Sequence, residues 1–216
     1  MACSRRQPDT IDGVFLELLQ LADSALPVGG AAHSFGLETL VEECVLSPAN
    51  LFEFLRAWIA ESGRLDTVFV RRAWRGEDSL LLTEELSARR PARESRDASL
   101  KMGRRFADLF EALTGTRLAR PIHYPIAFGS AGAALDIHEH IVAQAYLQQS
   151  ITGLVSACQR LMPLGQVAAS QLIWNLKPAI LAAAENSERL DCPCFSPLPE
   201  LGSMRHASIE TRLFIS

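Results

Sequence analysis

The chain has 216 residues, of which 48% are hydrophobic and 21% charged, and this is the composition of an ordinary globular protein. Its formal net charge of −4 argues against a nucleic-acid or anionic-membrane partner, because either would favour a basic surface. No apolar run approaches the roughly 20 residues of a membrane span, and the polar start of the chain lacks the apolar core of a signal peptide. We therefore expect a cytoplasmic protein with no nucleic-acid and no membrane partner.

Helical periodicity runs through the sequence, whereas the period-two alternation typical of strands is nearly absent. The apolar pattern predicts a first helix over residues 11–21. Ser47 and Pro48 then form a cap followed by a first-turn proline, which predicts that the second long helix starts there. A third stripe over residues 100–113 should end at Gly115, since glycine readily adopts the left-handed cap conformation.

Two further stripes lie in the second half of the chain. The stripe over residues 151–161 should stop before Pro163, because proline cannot continue a helix. The stripe over residues 172–180 predicts one more helix, which Pro178 should kink or end nearby.

Proline-containing breaks separate these helices at residues 89–91 and 120–125, and residues 186–202 combine three prolines with little periodicity. We read that last segment as a loop or as a segment that orders on binding. The sequence thus predicts an all-α fold: a single compact domain of about eight to ten helices. We expect residues 1–10 to be a flexible N-terminus, 11–186 the helical domain, and 187–216 a loop and C-terminal partner-binding tail.

The segment Ala22–Glu38 contains a glycine pair, Gly29 and Gly30, ahead of a predicted helix. Such a pair can cradle a phosphate on backbone N–H groups. It lacks the Lys-Ser/Thr that completes a phosphate loop, and no strand precedes it. A tight turn between two helices is the interpretation we favour.

His33 and Ser34 follow that turn and raise the question of nucleophilic catalysis. Adjacent side chains rarely point at each other, and no nucleophile elbow is present. We favour the view that one of them caps a helix starting near Phe35, with Glu38 in its first turn. With no assembled nucleophile, base and orienting group, we expect no catalytic residues and no enzyme.

Two residue pairs could bind a metal. His138 and His140 are two apart, so on a helix they diverge, and a solvated helix face is the favoured interpretation. Cys192 and Cys194 hold two thiols close together, but a closed site needs about four ligands. We favour an idle pair in a loop and predict neither a metal nor a cofactor.

Basic residues cluster before and within one predicted helix, interleaved with acidic residues. We favour a solvated or intramolecularly paired face, and keep an acidic partner protein as the alternative, since arginine suits such contacts. The members of this cluster are Arg89, Arg90, Arg93, Arg96, Lys101, Arg104 and Arg105.

The tail, from Phe195 to Ser216, mixes apolar side chains with arginines and a histidine. Apolar anchors beside arginine are typical of a binding hot spot. A terminal segment folded back on its own core would carry the same residues. Both interpretations stay open.

Several of these segments, taken together, resemble the urease accessory protein F (UreF) family. Their order and spacing span nearly the whole chain. Two positions depart from the family pattern, which usually has an aromatic residue where Ala31 stands and glutamate where Ala207 stands. The matching blocks are Leu18–Glu38, Ser99–Arg105, His123–Gly129, Arg160–Gln166, Met204–His206 and Thr211–Ser216.

The resemblance implies an all-helical homodimer that forms a complex with urease accessory protein D (H in some systems) and with accessory protein G, a nickel-binding GTPase. That complex supports GTP-dependent nickel insertion into apo-urease, and the F protein is a scaffold without chemistry of its own. The implied partner-binding residues lie in the first block, the arginine-bearing helices and the tail: His33, Ser34, Phe35, Glu38, Arg104, Arg160, Met204, Arg205, His206, Arg212, Leu213 and Phe214.

An alternative remains within the same resemblance. The chain could be a GTPase-activating regulator of accessory protein G that supplies an arginine, because arginine stabilises transition-state charge in GTP hydrolysis. Arg104, Arg105 and Arg160 are the candidates.

Overall fold

Helices supply the regular secondary structure in the computed structural model, which describes residues 11–189, 194, 196–209 and 212–215 and contains no strand among them. None of the described helices is long and apolar enough to cross a membrane. The α-helices are α1 (Ile11–Leu21), α2 (Leu37–Glu42), α3 (Leu51–Trp58), α4 (Arg64–Trp74), α5 (Ser79–Ala88), α6 (Arg93–Thr114), α7 (Tyr124–Ala134), α8 (Glu139–Leu161), α9 (Gln166–Asn186) and α10 (Pro197–Arg205).

A π-helical turn, Ile59–Gly63, joins α3 to α4, so these ten segments form nine helices within the described part of the chain. The predicted all-α fold of eight to ten helices is confirmed.

Helix α8 runs through both parts of the hydrophobic core. Its first half contributes Val142 and Tyr146 to a cluster shared with α4, α6 and α7. Its second half contributes Ile151 and Val155 to a cluster shared with α2, α3 and α9. At 1.5 Å per residue the 23 residues of α8 extend about 35 Å, which lets one helix reach both clusters.

Several predicted helix ends are confirmed. Helix α6 ends at Gly115, whose φ of +74° is the left-handed conformation expected of a glycine cap. Helix α8 ends at Leu161, two residues before Pro163. The proline at position 91 separates α5 from α6. Local backbone chemistry decides these ends, so the sequence was sufficient.

At three places the helix limits differ from what the sequence led us to expect. Helix α3 begins at Leu51 and not at Pro48, because the Asn50 side chain accepts the Ser47 N–H (2.8 Å) and holds residues 47–50 in a turn. Of the two outcomes expected at Pro178, a kink or a helix end, the end does not occur. Helix α9 continues for eight residues beyond this exposed proline, where water can solvate the carbonyl that the missing N–H leaves unpaired. The expected loop over residues 186–202 contains the start of α10.

Arg71 is a buried cation that joins three helices. Its guanidinium donates to Glu139 Oε1 (2.8 Å), to Ser187 Oγ (2.8 Å) and to the Ala184 carbonyl (2.8 Å). Arg75 also pairs with Glu139, at 2.8 Å. The solvated face expected at residues 138–140 is therefore wrong for Glu139, since its partners lie 68 and 64 residues away and no helix periodicity reports them.

His123 is fully buried just before α7. Its Nε2 lies 2.9 Å from Ser87 Oγ, and none of the described residues hydrogen-bonds to its Nδ1. Burial, followed by the positive charges of Arg90 and Arg96, lowers the pKa of His123 from 6.5 to about 3. The ring is therefore neutral in the folded protein at every moderately acidic pH.

We expect the free energy of unfolding to fall by about 2 kcal/mol between pH 7 and pH 5 through His123 alone. The unfolded chain binds a proton on this ring below pH 6.5, whereas the folded chain does so only near pH 3, so acid favours unfolding throughout that window. Urea denaturation at several pH values measures the slope, and His123→Asn should flatten it by about that amount. An unchanged slope in the variant would contradict the neutral buried ring.

Candidate functional site

The C-terminal helix α10 lies against α2 and α6 through a close backbone approach. A methyl group on Gly202 would lie 2.5 Å from the Gly36 carbonyl oxygen, so glycine is needed at the crossing. Two hydrogen bonds flank the crossing. Ser95 Oγ donates to Ser203 Oγ (2.9 Å), and the Ala92 N–H donates to Glu200 Oε2 (2.8 Å). Helix α10 thus packs closely on α2 and α6 of the same chain.

Glu38 is the acceptor that holds the tail beyond α10. Its buried carboxylate accepts from the backbone N–H groups of Leu213 (2.6 Å) and Phe214 (3.3 Å). It also accepts from Nε2 of the buried His206, at 2.7 Å. Residues 175 positions apart in sequence therefore meet at one carboxylate.

Arg160 fixes the last described residues beside the glycine turn. It donates to the carbonyls of Ala31 (2.7 Å) and Leu213 (3.4 Å), and its guanidinium lies 4.1 Å from the centre of the Phe214 ring. The Ile215 N–H donates to the Ala32 carbonyl at 2.8 Å. Phe214 itself is buried in the cluster of α2, α3, α8 and α9.

The segment around the glycine pair is the predicted tight turn, with Gly29 at a φ of +87°. The predicted cap is wrong, however. Helix α2 begins at Leu37 after Gly36, and its N-terminus has no side-chain cap. Ser34 is buried with no hydrogen-bond partner for its Oγ among the described residues, and the Glu38 carboxylate bonds the tail.

A cleft of about 530 Å³ lies between α10, α6, α8 and the segment before α2. Its apolar wall includes Met102, Leu154 and Met204. At its polar end Arg90 pairs with Asp66 (2.5 Å). Burial raises the pKa of Glu200, which also lines the cleft.

The structure brings together seven of the twelve predicted site residues around the docked tail: His33, Ser34, Glu38, Arg160, His206, Leu213 and Phe214. The rings of His33 and Phe35 lie 5.9 Å apart beside them. Arg205 pairs with Glu43 (3.1 Å) near the surface, and Arg212 donates to backbone carbonyls of its own segment. Arg104 stands on α6, exposed and 4.0 Å from Asp108.

Two exposed leucines of α10, Leu198 and Leu201, were missed by the sequence reasoning. With Met204 they recur at intervals of three, which is helical spacing. Ser196 and Pro197 precede them, and a proline in the first turn is a helix-start signal. We call the exposed side chains of Leu198, Leu201, Met204, Leu213 and Ile215 the tail patch.

Within the described residues no three histidine, cysteine or acidic side chains are grouped as metal ligands. Cys192 lies outside the described residues, so the expectation that Cys192 and Cys194 are an idle pair of thiols in a loop stays a prediction. His140 faces Arg71 and Gln144, at 3.2 and 2.8 Å, and these contacts give its ring a structural role.

Sequence comparisons agree with one another. The model of the UreF family matches residues 45–177. A protein of Nostoc sp. named urease accessory protein UreF is 36% identical over 222 residues, covering 95% of this chain and 97% of that protein. Proteins of the same name from Paenarthrobacter aurescens and Paracoccus denitrificans are 34% and 32% identical, over 93% and 96% of this chain and 97% and 98% of their own lengths. The chain belongs to the UreF family.

Proposed function

We propose that this chain is a non-catalytic accessory protein of urease maturation. It assembles with urease accessory protein D/H and the accessory GTPase G, and the complex supports GTP-dependent nickel insertion into apo-urease. Family membership supports the role in maturation. One observation carries the binding role. The helical body of the chain holds the C-terminal tail in place, while the tail patch stays exposed.

The two sets of tail residues have different tasks in this proposal. His206 and Phe214 are buried, so they anchor the tail and do not touch a partner directly. Leu213 and Met204 are 57% and 44% exposed, so they provide apolar surface for contact. A tail fixed in advance loses less conformational entropy on association than a free one, which strengthens binding.

We assign the tail patch to accessory protein D/H. The GTPase and a second copy of this chain bind other surfaces, and the whole assembly works in the cytoplasm. Several exposed large apolar side chains on one folded segment favour such a contact, since their burial against a partner is favourable.

The regulator of GTP hydrolysis that supplies an arginine remains the alternative. Arg160 is already engaged with Ala31, Leu213 and the Phe214 ring, so its position is explained by tail docking. That contact favours the scaffold over the regulator for this residue.

Leu213→Ser should weaken binding of accessory protein D/H about tenfold or more, because burying a leucine side chain is worth about 1.5–3 kcal/mol. The backbone N–H that bonds Glu38 is retained, so the tail remains docked. Isothermal titration calorimetry with purified accessory protein D/H measures the loss.

Leu181→Ser is the matched control, since Leu181 is 51% exposed but lies on α9. It should leave the affinity unchanged. If the unmodified chain and both variants bound accessory protein D/H equally tightly, the tail patch would not be part of the contact. Equal losses of affinity in both variants would contradict the specificity of the tail patch.

A further inference from the structure

Most cations in the described part of the chain already have partners. The acidic residues number 25 against 21 basic ones, and most arginines pair with carboxylates, as Arg71, Arg72 and Arg90 do. Lys101 and Arg105 are exceptions, because no ion pair or hydrogen bond of their side chains occurs among the described residues. Within the described part of the chain, these two neighbouring cations therefore leave surplus positive charge at that place.

The two cations stand on one face of α6. They are four residues apart and both exposed, so their side chains are neighbours on the helix surface. Arg104, between them in sequence, is 4.0 Å from Asp108 and 79% exposed, so that pair contributes little.

The Gly29–Ala31 turn lies directly beside these cations. The Arg105 guanidinium lies over Gly29, where any side chain would overlap it, and Met102 of the same helix touches Gly30. Burial, together with the charges of Lys101 and Arg105, lowers the pKa of the nearby His33. Arg160 bonds the Ala31 carbonyl at the end of the same turn.

We infer that Lys101 and Arg105, together with the adjoining Gly29–Ala31 turn that Arg160 bonds, form a docking site for an acidic segment of a partner protein. We call this surface the basic edge. It rests on the proposed function, in that the partner is one of the proteins of urease maturation. The basic edge differs from the tail patch in chemistry. Charge attracts the partner to the basic edge, whereas burial of apolar side chains favours binding at the tail patch.

Charge complementarity selects the occupant. Arginine and lysine side chains bind carboxylates with charge-assisted hydrogen bonds, and Lys101 and Arg105 need not break an ion pair with any described residue to do so. A nucleic acid would meet an otherwise acidic molecule, with a net charge of −4, and only a short positive strip.

The test compares two double charge reversals in the full chain. The Lys101→Glu/Arg105→Glu variant reverses the basic edge, and Lys177→Glu/Arg189→Glu makes the same change in charge at exposed positions elsewhere. Binding of purified accessory protein D/H, GTPase G and apo-urease to each chain is measured by biolayer interferometry at 50 and 300 mM NaCl, with circular dichroism checking the fold.

The basic-edge variant should bind one of the three proteins about ten- to a hundredfold more weakly at 50 mM NaCl, and the difference should shrink at 300 mM as salt screens the charges. The control should bind all three as the unmodified chain does. Unchanged binding of all three to the basic-edge variant overturns the inference alone. So does an equal loss in both variants. An unmodified chain that binds none of the three overturns the proposed function and this inference together.

Discussion

Glu38→Ala should release the C-terminal tail while leaving the helical body folded. The substitution removes the buried carboxylate that accepts hydrogen bonds from the His206 ring and from the Leu213 and Phe214 N–H groups. Losing one partner of a buried charged contact costs about 3–5 kcal/mol. Each 1.4 kcal/mol is a factor of ten in population, so the tail should be undocked in a large share of molecules.

Amide hydrogen exchange measures this directly, and the Leu213 and Phe214 amides should exchange more than a hundredfold faster. Glu43→Ala is the control, because Glu43 also bonds the tail, through Arg205, but at the surface, where a pair is worth about 0–1 kcal/mol. Protection that survives Glu38→Ala would show that the carboxylate does not hold the tail.

Gly202→Ala should displace α10 from α2 even though alanine favours the helix itself. The added methyl group meets the Gly36 backbone at 2.5 Å, and backbone yields less readily than the end of a side chain. Overpacking of this kind costs about 1–3 kcal/mol, against the gain of up to about 1 kcal/mol in helix propensity. We expect weaker docking of α10 and at least a fivefold loss of affinity for accessory protein D/H.

Gly153→Ala makes the same chemical change inside α8, where a methyl group meets nothing within 4 Å. It should raise the free energy of unfolding by about 0.5–1 kcal/mol and leave partner binding unchanged. Thermal and urea unfolding of both variants supply the comparison. A Gly202→Ala protein as stable and as tightly bound as the Gly153→Ala protein would contradict the close crossing of α2 and α10.

Local signals carried most of the fold prediction. Apolar spacing marked α1, α6 and α8, and the glycine and proline at positions 115 and 163 marked where two of them stop. The start of α3 was misplaced because the Asn50 side chain competes with the helix for the backbone of residues 47–50. Such a competition depends on geometry that spacing alone does not encode.

The site was harder to predict, since its contacts join distant parts of the sequence. Glu38 fitted a capping role by its spacing from Ser34, yet its partners are residues 206, 213 and 214. The resemblance singled out both ends of this contact as partner-binding residues. It could not divide them into buried anchors and exposed contact residues, because that division follows from how the tail packs.

The most direct test of the account is whether the purified chain and accessory protein D/H form a stable complex through the tail. Analytical ultracentrifugation of the two proteins, with the intact chain and with a chain lacking residues 204–216, measures this. The account predicts a stoichiometric complex with the intact chain and separate sedimentation with the shortened chain, which should keep its helical circular dichroism. A complex that forms equally well without the tail, or no complex with the intact chain, would contradict it.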